Sequence, residues 1–338
     1  LRGKEQIETS ELVAGDIGAL SKLDKTETGD TLSDPAKPVV FKLMKLPEPT
    51  LTFAIVADTK ADEDKMSQSL AKLAQEDPTF SIENNQETKQ LLISGLGNVQ
   101  LESMISRLAS DYDVHVHRVP LIIPYRETIR GTSEVQGRHK KQTGGAGQFG
   151  DVWIRFEPIE EVFEFAEEVF GGSVPKNYFP AVQKGLEESL ESGPLAGYPV
   201  TGLRAVLYDG SYHPVDSNEM AFKLAARLAF KNGLPKAKPV LLEPVMSLKI
   251  IIPDAFLGDV MGDMNKRRGR ILGMEQDNSG NQVVNAEAPY AEITEYAIDL
   301  RSMTQGRGSF TMEFKAYEQV PNEIAEKIIE ESHKEGDE

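Results

Sequence analysis

The strongest constraint on the fold of this chain is an order of strands and helices that occurs twice. From Leu51 the predicted order is strand, helix, strand, strand, helix, strand, running from LTFAIVA to VHVHRV. The same order returns from residue 246, where MSLKIIIP begins the series and SFTMEFKAY ends it. Each series is the βαββαβ arrangement of a ferredoxin-like domain. The sequence therefore predicts an α+β chain in which two domains of one architecture flank a different middle region.

Helical periodicity supports both copies. In NVQLESMISRLASDY and in FLGDVMGDMNKR, apolar residues recur at the i, i+3, i+4, i+7 spacing that buries one face of a helix. The predicted buried positions are Leu101, Met104, Ile105 and Leu108 in the first helix and Leu257, Val260, Met261 and Met264 in the second.

Composition excludes several classes of function. The 338 residues contain no cysteine, which rules out disulfides, zinc-thiolate sites and thiol nucleophiles. The 54 acidic and 37 basic side chains leave a net charge of −17, which argues against generic binding to nucleic acid. No apolar run has the length of a membrane span, and LRGKEQIETS is not a signal peptide. We expect a cytoplasmic protein with no membrane partner.

The first forty residues differ from the rest of the chain. ELVAGDIGAL and KTETGDTLSD are short β-like pieces with Gly-Asp turns, and few residues surround them that could build a core. We interpret residues 1–43 as the remnant of a β-barrel. A proline-marked linker, KLMKLPEPT, follows it. We also expect linkers at 119–124 and 240–245, so that the units are jointed.

The segment DGSYHPVDSNEM, residues 209–220, gathers a histidine and two aspartates. Asp209 and Gly210 are predicted to form a turn that Pro214 stiffens, and Asp216 to cap a helix with Glu219 in a capping box. Three interpretations remain open: a plain solvent-facing loop, an acid-base centre of Asp209, His213 and Asp216 in a small-molecule enzyme, or a tip that contacts RNA.

Two glycine-containing loops are further candidates. KKQTGGAGQFGDVW, residues 140–153, lacks the G-x-x-x-x-G-K-[S/T] order of a phosphate-binding loop and precedes a β-like segment, which favours the end of a β-hairpin. In GRGS, residues 306–309, Arg307 is either a solvated loop residue or a contact to RNA phosphate. Cations also cluster without an intervening acid, at Lys223, Arg227, Lys231, Lys236 and Lys238.

Several long segments together carry a family resemblance. They are YRETI (125–129), KQTGGAGQFGDVWIRFEP (141–158), VPKNYFPAVQKGLEESLESGPLAGYPV (174–200), DGSYHPVDSNEMAFKLAARLAFK (209–231), LLEPVMSLKI (241–250), GDVMGDMNKRRGRILGME (258–275) and DLRSMTQGRGSFTMEF (299–314). The chain resembles elongation factor G, the translocation GTPase of the bacterial ribosome, over its whole length.

The resemblance implies a domain organisation. Residues 1–43 would be the end of barrel domain II, 46–121 the ferredoxin-like domain III and 122–243 domain IV, with a fold like domain 2 of ribosomal protein S5. Residues 244–325 would be the ferredoxin-like domain V, followed by a helix end and acidic tail at 326–338. The family's GTPase domain, with its GTP and magnesium, would precede this portion, because no P-loop or N-K-x-D motif occurs here. The resemblance thus implies a chain with no cofactor and no catalysis of its own.

The resemblance also implies partners and contact residues. The tip of domain IV, with loops 144–151 and 209–217, would enter the small-subunit decoding region, where tRNA and mRNA lie. Domain V would face ribosomal RNA near the large-subunit factor-binding centre, and the protein would act as a monomer. The implied tip contacts are Gly144, Gly145, Gln148, Phe149, Gly210, Ser211, Tyr212, His213 and Pro214. The implied domain V contacts are Lys266, Arg267, Arg268 and Arg307.

The chain departs from the family pattern at the tip. Ala146, Phe149 and Asp151 stand where the family usually has Arg, Tyr and His, and Pro214 stands where Asp is common. Losing cations and gaining an anion is expected to weaken phosphate attraction at an RNA-facing tip. These departures indicate a divergent paralogue, for which ribosome recycling or a tetracycline-protection activity are alternatives to translocation.

Overall fold

The computed structural model describes residues 5, 7–23, 25–141 and 147–335. The chain divides into two units, the first formed by residues 1–84 and 91–119 and the second by residues 85–90 and 120–338. None of the helices in these described ranges has the length and apolarity to cross a bilayer.

The first unit contains the first predicted βαββαβ series. Its elements are β1 (Leu51–Ala57), α1 (Lys60–Glu76), β2 (Ser81–Asn84), β3 (Leu91–Gly95), α2 (Asn98–Tyr112) and β4 (Val116–Val119). The strands form one antiparallel sheet in the order β2-β3-β1-β4. The central strands thus come from opposite halves of the series, which confirms the predicted ferredoxin-like fold.

The core of this unit lies under the predicted helix face. Leu101, Met104 and Leu108 of α2 are buried, whereas Ile105 is half-buried. Removing each such side chain from water stabilises the fold by about 1.5 to 3 kcal/mol. Helix α1 begins after Thr59, whose hydroxyl accepts a hydrogen bond from the backbone N–H of Asp62.

The β-barrel remnant predicted for residues 1–43 is not confirmed. The described residues before Leu51 form no strand of a sheet, and apolar side chains there, such as Ile17 and Val40, are largely exposed. Short β-like pieces need partner strands and a common core to stay paired, and this segment buries almost nothing.

The middle of the chain forms a mixed sheet covered by helices. Its elements are β5 (Arg126–Ile129), β6 (Ser133–Lys141), β7 (Gln148–Pro158), β8 (Phe163–Glu167), α3 (Phe179–Ser189), β9 (Leu203–Ser211) and α4 (Glu219–Gly233). The sheet order is β6-β7-β9-β8, with β8 and β9 parallel and the other pairs antiparallel. This sheet has one parallel pair, which distinguishes it from the two ferredoxin-like sheets, whose strand pairs are all antiparallel.

Helix α4 packs unusually close to this sheet. A Cβ atom on Gly137 of β6 would lie 2.1 Å from the carbonyl oxygen of Ala225, and one on Gly150 of β7 would lie 2.4 Å from that of Ala221. Glycine on the strands and alanine on the helix therefore allow backbone-to-backbone approach. The close contact fixes the start of α4 beside the end of the β6–β7 hairpin.

The last part of the chain repeats the first fold. Its elements are β10 (Pro239–Pro253), α5 (Leu257–Lys266), β11 (Arg270–Gln276), β12 (Asn281–Pro289), α6 (Tyr290–Ile293), α7 (Tyr296–Met303), β13 (Ser309–Gln319) and α8 (Asn322–Glu335). The sheet order β11-β12-β10-β13 corresponds strand for strand to that of the first unit. Val260 and Met264 of α5 are buried, and Leu257 and Met261 are half-buried, so the second ferredoxin-like domain is confirmed.

The prediction of a flexible linker at 240–245 is wrong. These residues lie inside β10, a strand of 15 residues from Pro239 to Pro253 whose pairing with β13 shifts register between Val245 and Met246. Its first residues pair with β5, and the strand then pairs with β12 and β13. The proline at 244 lies opposite Tyr317 and does not end the strand. The middle region and the second ferredoxin-like domain therefore share a strand rather than a flexible joint.

Candidate functional site

The two candidate loops meet beside the start of α4. Strands β6 and β7 pair as an antiparallel hairpin whose last described pair is Lys141 with Gln148, which confirms the hairpin interpretation of the glycine-rich loop. Gly144, Gly145 and Ala146 lie outside the described residues. The amide oxygen of Gln148 accepts a hydrogen bond from His139 Nε2 at 2.9 Å.

Ser217 fastens the tip turn, residues 209–217, to this hairpin. Its hydroxyl donates to the carbonyl of Phe149 at 2.9 Å and accepts from the backbone N–H of His213 at 2.8 Å. The N–H of Phe149 donates to the carbonyl of Asp216 at 2.9 Å. The role of Ser217 could not be predicted from the sequence, because a serine in a turn carries no signal of its tertiary partner. The turn is held by its own backbone and needs no ligand to keep its shape.

The orientation of His213 follows from these bonds. Its Nδ1 accepts hydrogen bonds from the backbone N–H groups of Asp216 at 3.1 Å and Val215 at 3.3 Å. Nδ1 is therefore engaged inside the turn, which leaves Nε2 as the ring nitrogen that can contact a partner. The Asp216 carboxylate lies 3.4 Å from the same Nδ1, and the side chain of His213 is 44% exposed.

This geometry counts against an acid-base centre. Asp209 belongs to β9, where it pairs with Trp153, and its carboxylate accepts from the N–H of Gly210. Asp209 and Gly210 therefore do not form the turn that was predicted, because the strand continues to Ser211. A catalytic histidine needs a partner that orients it and a site that excludes water. Asp209 does not orient His213, and the ring is open to solvent.

An arginine, a phenylalanine and the histidine form a row at the tip. The guanidinium of Arg138 lies 5.4 Å from the centre of the Phe149 ring, which is 6.3 Å from the His213 ring. Phe149 is buried, whereas Arg138 is exposed. The buried ring of Phe149 therefore lies close to both other side chains. A cation near the face of an aromatic ring is favourable.

Beyond this row the tip turn exposes its remaining side chains. Tyr212 is 48% exposed and Val215 is 83% exposed, and Pro214 also faces solvent. Together with His213 Nε2, these side chains offer hydrogen-bonding groups and apolar surface on a turn that is already bonded to β7. Such a surface suits recognition by stacking and hydrogen bonding rather than bond breaking.

Asp151 does not place an anion on the outside of the tip, contrary to expectation. It is buried, and its carboxylate accepts from Gln136 Nε2 and from the Ser211 hydroxyl, each at 2.8 Å. Ser211, expected to contact a partner, instead holds this carboxylate. Gly210 is also structural, because a Cβ there would lie 2.3 Å from the Asp151 carbonyl oxygen.

The predicted cap of α4 is also wrong. Asn218, not Asp216, precedes the first helical residue, and its side-chain oxygen accepts from the N–H of Ala221 at 2.9 Å. The capping box with Glu219 is therefore not formed. The carbonyl of Asp216 is bonded to β7, which keeps residue 216 outside the helix.

Arg267, one of the four cations predicted in the second ferredoxin-like domain, is engaged inside the fold. It binds Asp263 at 2.7 Å, Asp299 at 2.5 Å and the carbonyl of Glu292 at 2.7 Å. Its side chain is only 17% exposed. This commitment counts against Arg267 as an RNA contact.

Arg268 is engaged in the same way. It binds the buried carboxylate of Glu243 through two bonds of 2.7 and 2.8 Å, and Glu292 at 2.9 Å. The hydrogen bonds to Glu243 raise the pKa of Arg268. Lys266 is exposed, and Arg307 is exposed with its guanidinium 4.8 Å from the centre of the Phe256 ring. Only these two of the four present their charge to solvent.

No cluster of histidine, aspartate and glutamate side chains that could hold a metal ion occurs in the described part of the chain. The chemistry available at the tip is therefore that of hydrogen bonds, ring contacts and the exposed cation of Arg138.

Comparisons with known proteins agree with this architecture. Three family models match: "Elongation Factor G, domain III" over residues 46–119, "Elongation factor G, domain IV" over 122–238 and "Elongation factor G C-terminus" over 240–328. The chain belongs to the elongation factor G family. A crystal structure of a protein from Thermus thermophilus is 44% identical with a TM-score of 0.78 over 86% of this chain, and this chain spans 44% of that one. The tip described above thus belongs to the elongation factor G domain IV, and α5 with Lys266 to the C-terminal domain.

Proposed function

We propose that this chain is a ribosome-binding portion of an elongation factor G-like translational GTPase and that its domain IV tip contacts RNA in the small-subunit decoding region during movement of tRNA and mRNA. The observation that carries the proposal is the tip turn. Its backbone is held by Ser217 and by β7, while Tyr212, Pro214 and part of the His213 ring face solvent. A preorganised turn loses little entropy on binding.

In this proposal GTP and magnesium bind a separate GTPase domain, and this chain contributes positioning rather than chemistry. Lys266 and Arg307 are the cations of the C-terminal domain that would meet large-subunit RNA, because both are exposed. Arg267 and Arg268 are left out, since their guanidinium groups bind carboxylates of the same domain.

The test uses the full-length protein in ribosome cosedimentation, with GTP turnover and translocation followed in parallel. We expect His213→Ala to sediment with ribosomes and to hydrolyse GTP like the unmodified protein, but to translocate more slowly. His115→Ala is a matched control, because His115 is a similarly exposed histidine, at 58%, outside domain IV. Failure of the unmodified protein to bind ribosomes would refute the proposal, as would a His213→Ala variant that translocates at the unmodified rate.

Ala146 and Phe149 stand where the family usually has Arg and Tyr, and this divergence keeps ribosome recycling and tetracycline protection as alternatives. The same assay separates them. A factor that splits ribosomes, or that releases tetracycline, without moving mRNA would replace translocation in the proposal but retain the RNA-contacting tip.

A further inference from the structure

The C-terminal end of α4 carries an unusual run of charge. Between Glu219 and Glu243 the sequence has five cations and no acid, in a chain whose net charge is −17. The structure separates these cations. Lys223 and Arg227 both bind Glu188, and Lys223 does so at 2.6 Å. Lys231 lies in the last turn of α4, where a cation stabilises the helix dipole. Lys236 lies in the last turn of the short 3-10 helix that follows α4, residues 234–237, and Lys238 comes directly after it.

A third cation from another strand joins these two. The β5–β10 pairing ends with Ile129 opposite Pro239, and Arg130 and Lys238 lie just outside it. The N–H of Arg130 donates to the carbonyl of Lys238 at 3.1 Å. We call Arg130, Lys236 and Lys238 the basal cluster. All three are exposed.

The basal cluster is not neutralised within the described part of the protein. In those ranges, none of its three side chains forms a salt bridge or a hydrogen bond to a carboxylate. Lys238 also has a positive φ of 53°, in the left-handed region that costs a non-glycine residue about 1 kcal/mol or more.

Simple solubility does not account for these cations, because a chain with a large negative charge is already soluble. Nearby acids could have neutralised the cluster, as Glu188 neutralises Lys223 and Arg227. Charges left unpaired on a rigid surface instead fit an anionic partner that is absent from the free protein.

We infer that the basal cluster binds phosphate groups of an RNA backbone, as a contact separate from the tip. The tip turn lies just before the first residue of α4, and Lys236 and Lys238 follow its last residue. A helix of 15 residues is about 22 Å long, so the two contacts lie at opposite ends of α4. Arginine and lysine are the side chains that most often contact phosphates, and such contacts position a protein without reading sequence. The inference rests on the proposed function in one respect, namely that the RNA is ribosomal.

The experiment compares two double charge reversals in the full-length protein. K236E/K238E alters the basal cluster, and K327E/K334E alters two exposed lysines of α8 with the same change in net charge. Binding to purified small-subunit ribosomal RNA and to intact ribosomes is measured over a series of KCl concentrations. Loss of each phosphate contact makes the slope of log affinity against log salt shallower by about 0.7 to 0.9.

We expect K236E/K238E to flatten this slope by about 1.5 and to bind RNA more weakly than the control. The milder K236Q/K238Q should shift the slope in the same direction, which covers the case in which charge reversal disturbs folding. His213→Ala should leave the slope unchanged. The inference is overturned if the slope of K236E/K238E equals that of the unmodified protein, or if both charge reversals change it equally.

Two further outcomes separate this inference from the proposed function. If the cluster binds free RNA but the protein does not bind ribosomes, the proposed function fails and the inference stands. If the cluster binds anionic phosphatidylserine vesicles and not RNA, the inference is overturned in favour of a membrane surface.

Discussion

Two groups of cations in the same unit look alike in sequence and behave differently in the structure. In NKRRGR, Arg267 and Arg268 are held by carboxylates of α5 and of more distant segments, whereas in LPKAKP, Lys236 and Lys238 have no such partner among the described residues. The partner of Arg268 is Glu243, a buried residue of β10. A basic run in a sequence therefore indicates a binding surface only where its cations have no carboxylate partners inside the fold.

The largest effect should come from breaking the paired group. We expect Arg268→Ala to lower the free energy of unfolding by about 3 to 5 kcal/mol, because it leaves the buried carboxylate of Glu243 without a cation. Urea unfolding measures it. Lys266→Ala, two positions earlier and exposed, is the control and should stay within about 0.5 kcal/mol. A loss below about 1 kcal/mol for Arg268→Ala would contradict a structural role for the ion pair between Arg268 and Glu243.

A second test uses pH on another paired carboxylate. Hydrogen bonds from Lys315 and then Arg270 lower the pKa of Glu287, which is buried in the same sheet. A depressed pKa stabilises the fold above the unfolded value of about 4.3, and this contribution is lost as pH falls through the folded value. Urea midpoints should therefore drop more between about pH 6 and pH 3.5 in the unmodified protein than in Glu287→Gln. Equal drops would contradict the assigned pairing.

The start of α4 provides a contrast between two neighbouring polar residues. Asn218→Ala should cost about 0.5 to 2 kcal/mol of stability, because Asn218 caps the helix. Asp216→Ala should cost less, since its carboxylate does not cap. Thermal melts of both variants, with Asn218→Asp as the variant that retains a cap, decide the assignment. A larger loss of stability for Asp216→Ala than for Asn218→Ala would indicate that Asp216 caps the helix, as the sequence predicts.

The smallest effect belongs to the basal cluster. Arg130→Gln should change the stability of the free protein by no more than about 0.5 kcal/mol, because Arg130 is exposed and has no carboxylate partner among the described residues. Differential scanning calorimetry measures the change. A clear destabilisation would mean that Arg130 has an internal partner and would remove it from the cluster.

The sequence predicted what depends on local periodicity. The two βαββαβ series and the buried faces of α2 and α5 follow from apolar spacing, which is why they agree with the structure. The cap of α4 did not follow, because Asn218 and Asp216 are both good caps and the choice is made by a bond between Asp216 and Phe149. The burial of Asp151 was equally hidden, since its partners Gln136 and Ser211 come from separate strands.

The continuity of β10 has a mechanical consequence. A strand of 15 residues is about 50 Å long, and along this length it is bonded first to β5 and then to both β12 and β13. A force on the middle region is therefore transmitted to the last domain as shear along these cross-strand hydrogen bonds. Bending would concentrate at the register shift between Val245 and Met246, where the pairing with β13 is irregular.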